Sequence, residues 1–164
     1  IGSFSKTLSA SVRCGYIAAP KDWIEPLTDL KIAANFSGSQ LSEALVYASL
    51  KDVQYRRHID GLKLQLSRAR IETINTLGDL GITPWMVPQA GIFVWCTLPS
   101  GVNAAQVARH ALTQNMVLAP GQIFSQSPGA AGFMRFNVSQ CASPDLANIL
   151  RRSLKEGTST APEY

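Results

Sequence analysis

Ser3-Phe4-Ser5-Lys6-Thr7-Leu8, followed by Arg13 and then by Gly15-Tyr16-Ile17-Ala18-Ala19-Pro20, is the stretch on which the reading of this chain turns. The apolar run after Gly15 is short and stops at a proline, which is the pattern of a buried strand and not of a helix. A lysine by itself near a strand end is an ordinary surface residue. Here it comes with two hydroxyls before it, an arginine seven residues after it, and a glycine-aromatic entry into the strand.

Outward from this stretch the periodicity is helical. Asp22 and Glu25 have capping-box spacing, and Trp23, Leu27, Leu30 and Ala34 recur at i, i+4, i+7 and i+11, which predicts a helix with Pro26 in or just past its first turn. Residues 35–40 are rich in Ser and Gly and read as a break. Residues 41–52 predict a second helix. From Tyr55 a third carries Ile59, Leu62, Leu66, Ala69, Thr73, Leu77 and Leu80 on one stripe and stops at Gly81, with Gly61 costing about 1 kcal/mol inside it. Arg56, Arg57, Lys63, Arg68 and Arg70 fall mostly off that stripe and read as a solvated face.

After Pro84 and Pro88 the pattern turns to strands. Residues 91–98 form one, ended by Pro99-Ser100-Gly101. A helix opened by Asn103 or Gly101 runs to about Gln114, and short strands follow at residues 116–119 and 133–139. Ser143-Pro144-Asp145 starts a last helix to about Leu154, and residues 157–164 read as a polar tail. The pattern predicts an α/β fold, with helices packed on one small sheet.

Composition narrows the class. With 164 residues, 46% hydrophobic and 16% charged, the chain is neither disordered nor collagen-like. A net charge of +4 is too diffuse to select nucleic acid or membrane. Cys14, Cys96 and Cys141 are odd in number, widely separated and in no C-x-x-C pair, so the spacing offers neither a disulfide framework nor a metal site, and free thiols in a cytoplasmic protein are expected. The chain begins at Ile1 and its first residues read as the end of a strand, so it is expected to be part of something longer.

The residue types in the opening stretch suit a phosphorylated aldehyde. An amine condenses with an aldehyde to a Schiff base, and a guanidinium with hydroxyl donors grips a phosphate through a planar fork of hydrogen bonds. Alternation at residues 133–138 puts Met134, Phe136 and Val138 on one face and Arg135 and Asn137 on the other, so Arg135 can project into a site while its neighbours pack.

These residues resemble the pyridoxal-phosphate-dependent aminotransferases of fold type I, and more narrowly the aminotransferase-like domain of MocR-group GntR-type transcription regulators. The resemblance rests on five blocks in the family's order: Ser3 to Leu8 with Arg13 and Gly15-Tyr16, the helix from His58 to Arg70, Ala90 to Pro99, Leu118-Ala119-Pro120-Gly121 with Phe124, and Phe133-Met134-Arg135-Phe136-Asn137. It implies that Lys6 is the Schiff-base lysine, exchanged with an incoming amino compound, and that Ser3, Ser5 and Arg13 hold the phosphate of pyridoxal 5'-phosphate. Arg135 then grips the carboxylate of an amino-acid substrate or effector. Residues 1–40 become the last strand and helix of a large cofactor domain, and 41–156 a small C-terminal domain. The parent protein is expected to be a homodimer, to touch DNA only through a preceding winged helix-turn-helix, and to have no membrane contact. The family's usual Pro-Gly after the lysine block is replaced by Ser9-Ala10-Ser11-Val12.

Two other readings stand beside the sensing domain. A free-standing aminotransferase would keep the same Lys6, Arg13 and Arg135. Ser3-Phe4-Ser5-Lys6 is also an S-x-x-K, the nucleophile motif of serine acyl-enzymes, but the Ser-Asp-Asn and Lys-Thr-Gly elements of that class are missing. His58 and His110 read as ordinary helix residues.

Overall fold

The computed structural model describes residues 1–143 and 145–158. The chain divides into two compact units, the first Ile1–Leu62 and the second beginning at Lys63.

In the first unit β1 (Gly2–Ser3) pairs antiparallel with β2 (Gly15–Tyr16), placing Gly2 opposite Tyr16 and Ser3 opposite Gly15. Glycine is required at both crossings. A Cβ on Gly15 would lie 2.8 Å from the Gly2 carbonyl oxygen, and one on Gly2 would run into the Tyr16 ring. The buried strand expected over residues 15–19 is instead two residues long and exposed, because β1 offers it no further partners and the unit leaves Tyr16 and Ile17 about half exposed.

Helices α1 (Lys21–Asn35), α2 (Gln40–Lys51) and the start of α3 (Val53–Gly78) complete the unit. Asp22 does not cap α1, as its spacing to Glu25 promised. The cap is Pro20, and Asp22 sits in the first turn, where a negative charge favours the helix N-terminus. The Ser-Gly break ends in Ser39, whose hydroxyl accepts from the Ser42 N–H at 3.3 Å and starts α2. Val46 is the one buried hydrophobic side chain among this unit's described residues. On the α1 stripe Trp23 and Leu30 are about two-thirds exposed, so helical periodicity here marks an apolar face that the unit itself does not cover.

The second unit has a core of its own. Its antiparallel sheet comprises β3 (Thr83–Pro84), β4 (Phe93–Thr97), β5 (Ala119–Pro120) and β6 (Phe133–Asn137) in the order β3-β4-β6-β5. Both edge strands carry a proline, which is tolerated there because an edge leaves one row of N–H groups unpaired. Helices α4 (Ala104–Thr113) and α5 (Leu146–Gly157) pack against each other. Val94, Cys96, Met134 and Phe136 from the sheet meet Leu77 of α3, Val107 of α4 and Leu150 of α5 in one buried cluster. Each large apolar side chain so buried is worth about 1.5–3 kcal/mol.

Of the two candidates for starting α4, Asn103 is the cap, its Oδ1 accepting from the Ala105 and Gln106 N–H groups at 2.9 and 3.3 Å. Gly157, assigned to the polar tail by sequence, is the buried last residue of α5. A Cβ there would meet Val107 Cγ2 at 2.6 Å. Pro144 and residues 159–164 lie outside the described residues.

Candidate functional site

The first unit gathers Ser3, Ser5, Lys6 and Arg13 on one closed loop. The β1–β2 pairing and a bond from the Phe4 N–H to the Cys14 carbonyl at 3.0 Å join the two ends of the segment between them. At the near end, the Phe4 carbonyl accepts from the Leu8 N–H at 2.8 Å and the Ser9 N–H at 3.2 Å, which turns the chain tightly around Lys6. Ser3 ends β1 and its Oγ accepts from the Ser5 N–H at 3.2 Å. A strand end is not the helix start at which an S-x-x-K serine works, so the structure gives that reading no support.

Ser9-Ala10-Ser11-Val12, in place of the usual Pro-Gly, makes a short 3-10 turn over Ala10–Val12. It is capped by Ser9 Oγ, which accepts from the Ser11 N–H at 3.2 Å. The turn ends on Arg13, held in the left-handed region at φ 50°. That conformation costs a non-glycine residue about 1–2 kcal/mol. Lys6 and Arg13 are exposed. Among the described residues neither the Lys6 Nζ nor the Arg13 guanidinium has a hydrogen-bond or ion-pair partner. The loop thus presents one amine, one guanidinium and two hydroxyls, with the cations uncommitted.

Arg135 belongs to the second unit. It lies in β6 directly opposite Trp95 of β4 on one side and Ala119 of β5 on the other. Alternation works as expected: Met134, Phe136 and Val138 are buried, whereas Arg135 and Asn137 on the opposite face are half-buried. The guanidinium carbon stands 4.1 Å from the centre of the Phe93 ring and 4.2 Å from that of Phe124. Phe93 is the diagonal neighbour on β4. Phe124 follows the 3-10 turn Gly121–Ile123 after β5, and its N–H donates to the Gly121 carbonyl at 2.9 Å. Trp95 extends the aromatic surface, edge-on to Phe124 at 5.7 Å and stacked on Phe133 at 5.5 Å.

A cavity of about 390 Å³ opens beside Arg135, walled by Phe93, Leu118, Ala119, Asn137, Gln140 and Leu146 among others. The Asn137 Oδ1 accepts from the Ser139 N–H and hydroxyl at 3.1 and 2.8 Å, which stops β6. Cys141 also borders this cavity, but burial pushes its thiol up, with a hydrogen bond from Thr73 acting the other way. Burial, followed by the neighbouring Cys141, pushes the Cys96 thiol up to about 12. Both shifts favour the neutral thiol over the thiolate.

Two further side chains have defined tasks. Arg70, assigned to a solvated face, donates to the Gln89 and Gly91 carbonyls at 3.0 and 3.5 Å and so ties α3 to the segment leading into Phe93. His110 joins α4 to α5, its Nδ1 lying 3.1 Å from the buried Ser153 hydroxyl. Sequence reading missed the two phenylalanines around Arg135. For Phe93 the signal was present, since period-2 alternation puts it on the Arg135 face of the sheet.

A family model for aminotransferase class I and II matches residues 1–152. The chain belongs to that aminotransferase family. Its curated relatives include the HTH-type transcriptional regulator YdfD of Bacillus subtilis (strain 168), 28% identical over 89% of this chain, and the HTH-type transcriptional regulator NorG of Staphylococcus aureus (strain USA300), 33% identical over 76% of it. Among solved structures, LysN, an α-aminoadipate aminotransferase from Thermus thermophilus in complex with N-(5'-phosphopyridoxyl)-L-leucine, matches 93% of the chain with TM-score 0.79 and 25% identity. A kynurenine aminotransferase from Pyrococcus horikoshii matches 97% with TM-score 0.81 at 19% identity and shows the shared fold. The chain spans about 30% of the length of the two regulators and 40% of each of these two enzymes. Within the family, the blocks at Lys6, Ala90, Leu118 and Arg135 fall inside the matched residues.

Proposed function

We propose that this chain is part of a pyridoxal-phosphate-binding, amino-acid-sensing domain of a cytoplasmic, homodimeric transcription regulator. The observation that carries the reading is the closed loop on which Lys6 and Arg13 stand together with no protein partner among the described residues. Arg13 in a left-handed conformation supports it, since glycine would hold the same turn without strain. The donor set fits the cofactor: a primary amine for the aldehyde, and a guanidinium with Ser3 and Ser5 hydroxyls for the phosphate.

Pyridoxal phosphate, when bound, supplies an aldehyde that condenses with amines and a ring that serves as an electron sink. Lys6 Nζ would hold that aldehyde and would be the group an incoming amino compound replaces. The same amine, when free, would be the group available as a base for a proton on the α-carbon. Ser3, Ser5 and Arg13 would hold the phosphate, and Arg135 would favour compounds carrying a carboxylate. In a sensor the exchange at Lys6 is itself the signal. DNA contact falls to a domain outside this chain.

The similarity to LysN supports a second reading, a free-standing aminotransferase. The sequence of the whole parent protein separates the two: a winged helix-turn-helix ahead of this chain supports the sensor, and its absence sinks it. A separate test concerns the isolated chain. With the α1 stripe uncovered, it is expected to bind pyridoxal phosphate weakly and to catalyse nothing, and tight stoichiometric binding in a titration would overturn that expectation.

A further inference from the structure

The Arg135 guanidinium carbon lies over two aromatic rings, 4.1 Å from the centre of Phe93 and 4.2 Å from that of Phe124. The rings come from different places in the chain, one from a central strand and one from the turn after an edge strand. Each is fixed by its own backbone bonds: Arg70 ties down the approach to Phe93, and the Gly121 carbonyl holds Phe124. Trp95 packs edge-on against Phe124 and keeps that ring upright. Gly121 has to be glycine, because a Cβ there would run into the Ala130 carbonyl oxygen. The arrangement is built, with each part fixed independently of the arginine.

We infer that Phe93 and Phe124 are positioning residues that set the plane of the Arg135 guanidinium and restrict it to a planar carboxylate, an inference resting on the assignment of Arg135 as the carboxylate site. A guanidinium donates only in its own plane. Ring carbon offers no acceptor, so the cavity that Arg135 borders, walled by Leu118, Ala119 and Gln140 among others, is where its in-plane N–H groups can meet a carboxylate. A free arginine loses several rotamers when it binds. This one has already lost them, so its two parallel hydrogen bonds to a carboxylate come with less entropic penalty. The rings also add direct cation–π attraction and take the place of water where they lie against the guanidinium. Ala119, opposite Arg135 on β5, leaves the edge of the guanidinium unobstructed.

The test uses the full-length protein loaded with pyridoxal phosphate. Isothermal titration with each of the twenty proteinogenic L-amino acids, and with the α-amide of each one that binds, gives a ratio of affinities that isolates carboxylate recognition. Phe93→Leu and Phe124→Leu keep apolar bulk at positions about 40% exposed, so the fold tolerates them. Each is expected to lower the acid-to-amide ratio by about three- to tenfold with the melting temperature in place, the ratio cancelling any change in contact that acid and amide share. Phe124→Tyr, which retains a ring face, is expected to keep the ratio. A role confined to packing would leave the ratio unchanged in the leucine variants, and that result overturns the inference while Arg135→Gln still abolishes the preference. If wild-type protein binds no amino acid, or binds acid and amide alike, or if Arg135→Gln keeps the preference, the carboxylate assignment itself fails, and the inference with it.

Discussion

Trp95 and Arg135 face each other directly across the β4–β6 ladder, within a chain of ring contacts in which Phe133 stacks on Trp95, Trp95 meets Phe124 edge-on, and the guanidinium lies over both Phe124 and Phe93. A charged residue in the centre of a four-stranded sheet is tolerated because it lies on the half-open face. The buried face of the same strand carries Met134 and Phe136. Register alone decides this, since a slip of one residue would exchange the faces.

Arg13 offers a direct test of the phosphate assignment. Arg13→Gln keeps a hydrogen-bonding side chain but removes the charge, and charge-assisted bonds are worth about 1.5–3 kcal/mol. Affinity of the full-length protein for pyridoxal phosphate is expected to drop by about ten- to a hundredfold, read by absorbance titration. An unchanged affinity would remove Arg13 from the site.

Gly121→Ala is expected to be costly for steric reasons. The added methyl meets the Ala130 carbonyl, which is backbone and cannot swing aside. A loss of about 1–3 kcal/mol in denaturant unfolding is expected, together with a lower acid-to-amide ratio as Phe124 shifts. A variant as stable as wild type would show that the turn has room.

Cys96 gives a pH dependence with a definite sign. Its thiol is raised from about 9 to about 12 in the folded chain, so the folded state favours the neutral form. The corresponding stability is complete below the unfolded value and is lost as pH rises from about 9 toward 12. Between these values wild type is expected to lose about 1.36 kcal/mol more per pH unit than Cys96→Ala, one proton's worth, measured by urea unfolding at stepped pH. Equal slopes would contradict the burial of this thiol.

Much of this was readable from the residues. The stripe from Ile59 to Leu80 located α3 within two or three residues, and alternation oriented Arg135 correctly. The short strands were less legible because they exist by pairing: Thr83-Pro84 has no strand signal of its own and becomes β3 only by lying opposite Thr97 and Cys96. The sheet order β3-β4-β6-β5 is equally non-local. Phe124 was visible as part of a family block but had no assigned task, since its place over Arg135 depends on a turn geometry that periodicity does not report. The exposed stripe of α1 shows the opposite limit, a clear helical pattern whose apolar face finds no cover within its unit.

Lys6, as the proposed point of covalent attachment, is open to a direct spectroscopic test. Full-length protein incubated with pyridoxal phosphate and dialysed is expected to show a visible absorbance band, and Lys6→Ala is expected to lose it while keeping its melting temperature without added cofactor. A band of undiminished intensity in Lys6→Ala, or none in wild type, would contradict the account.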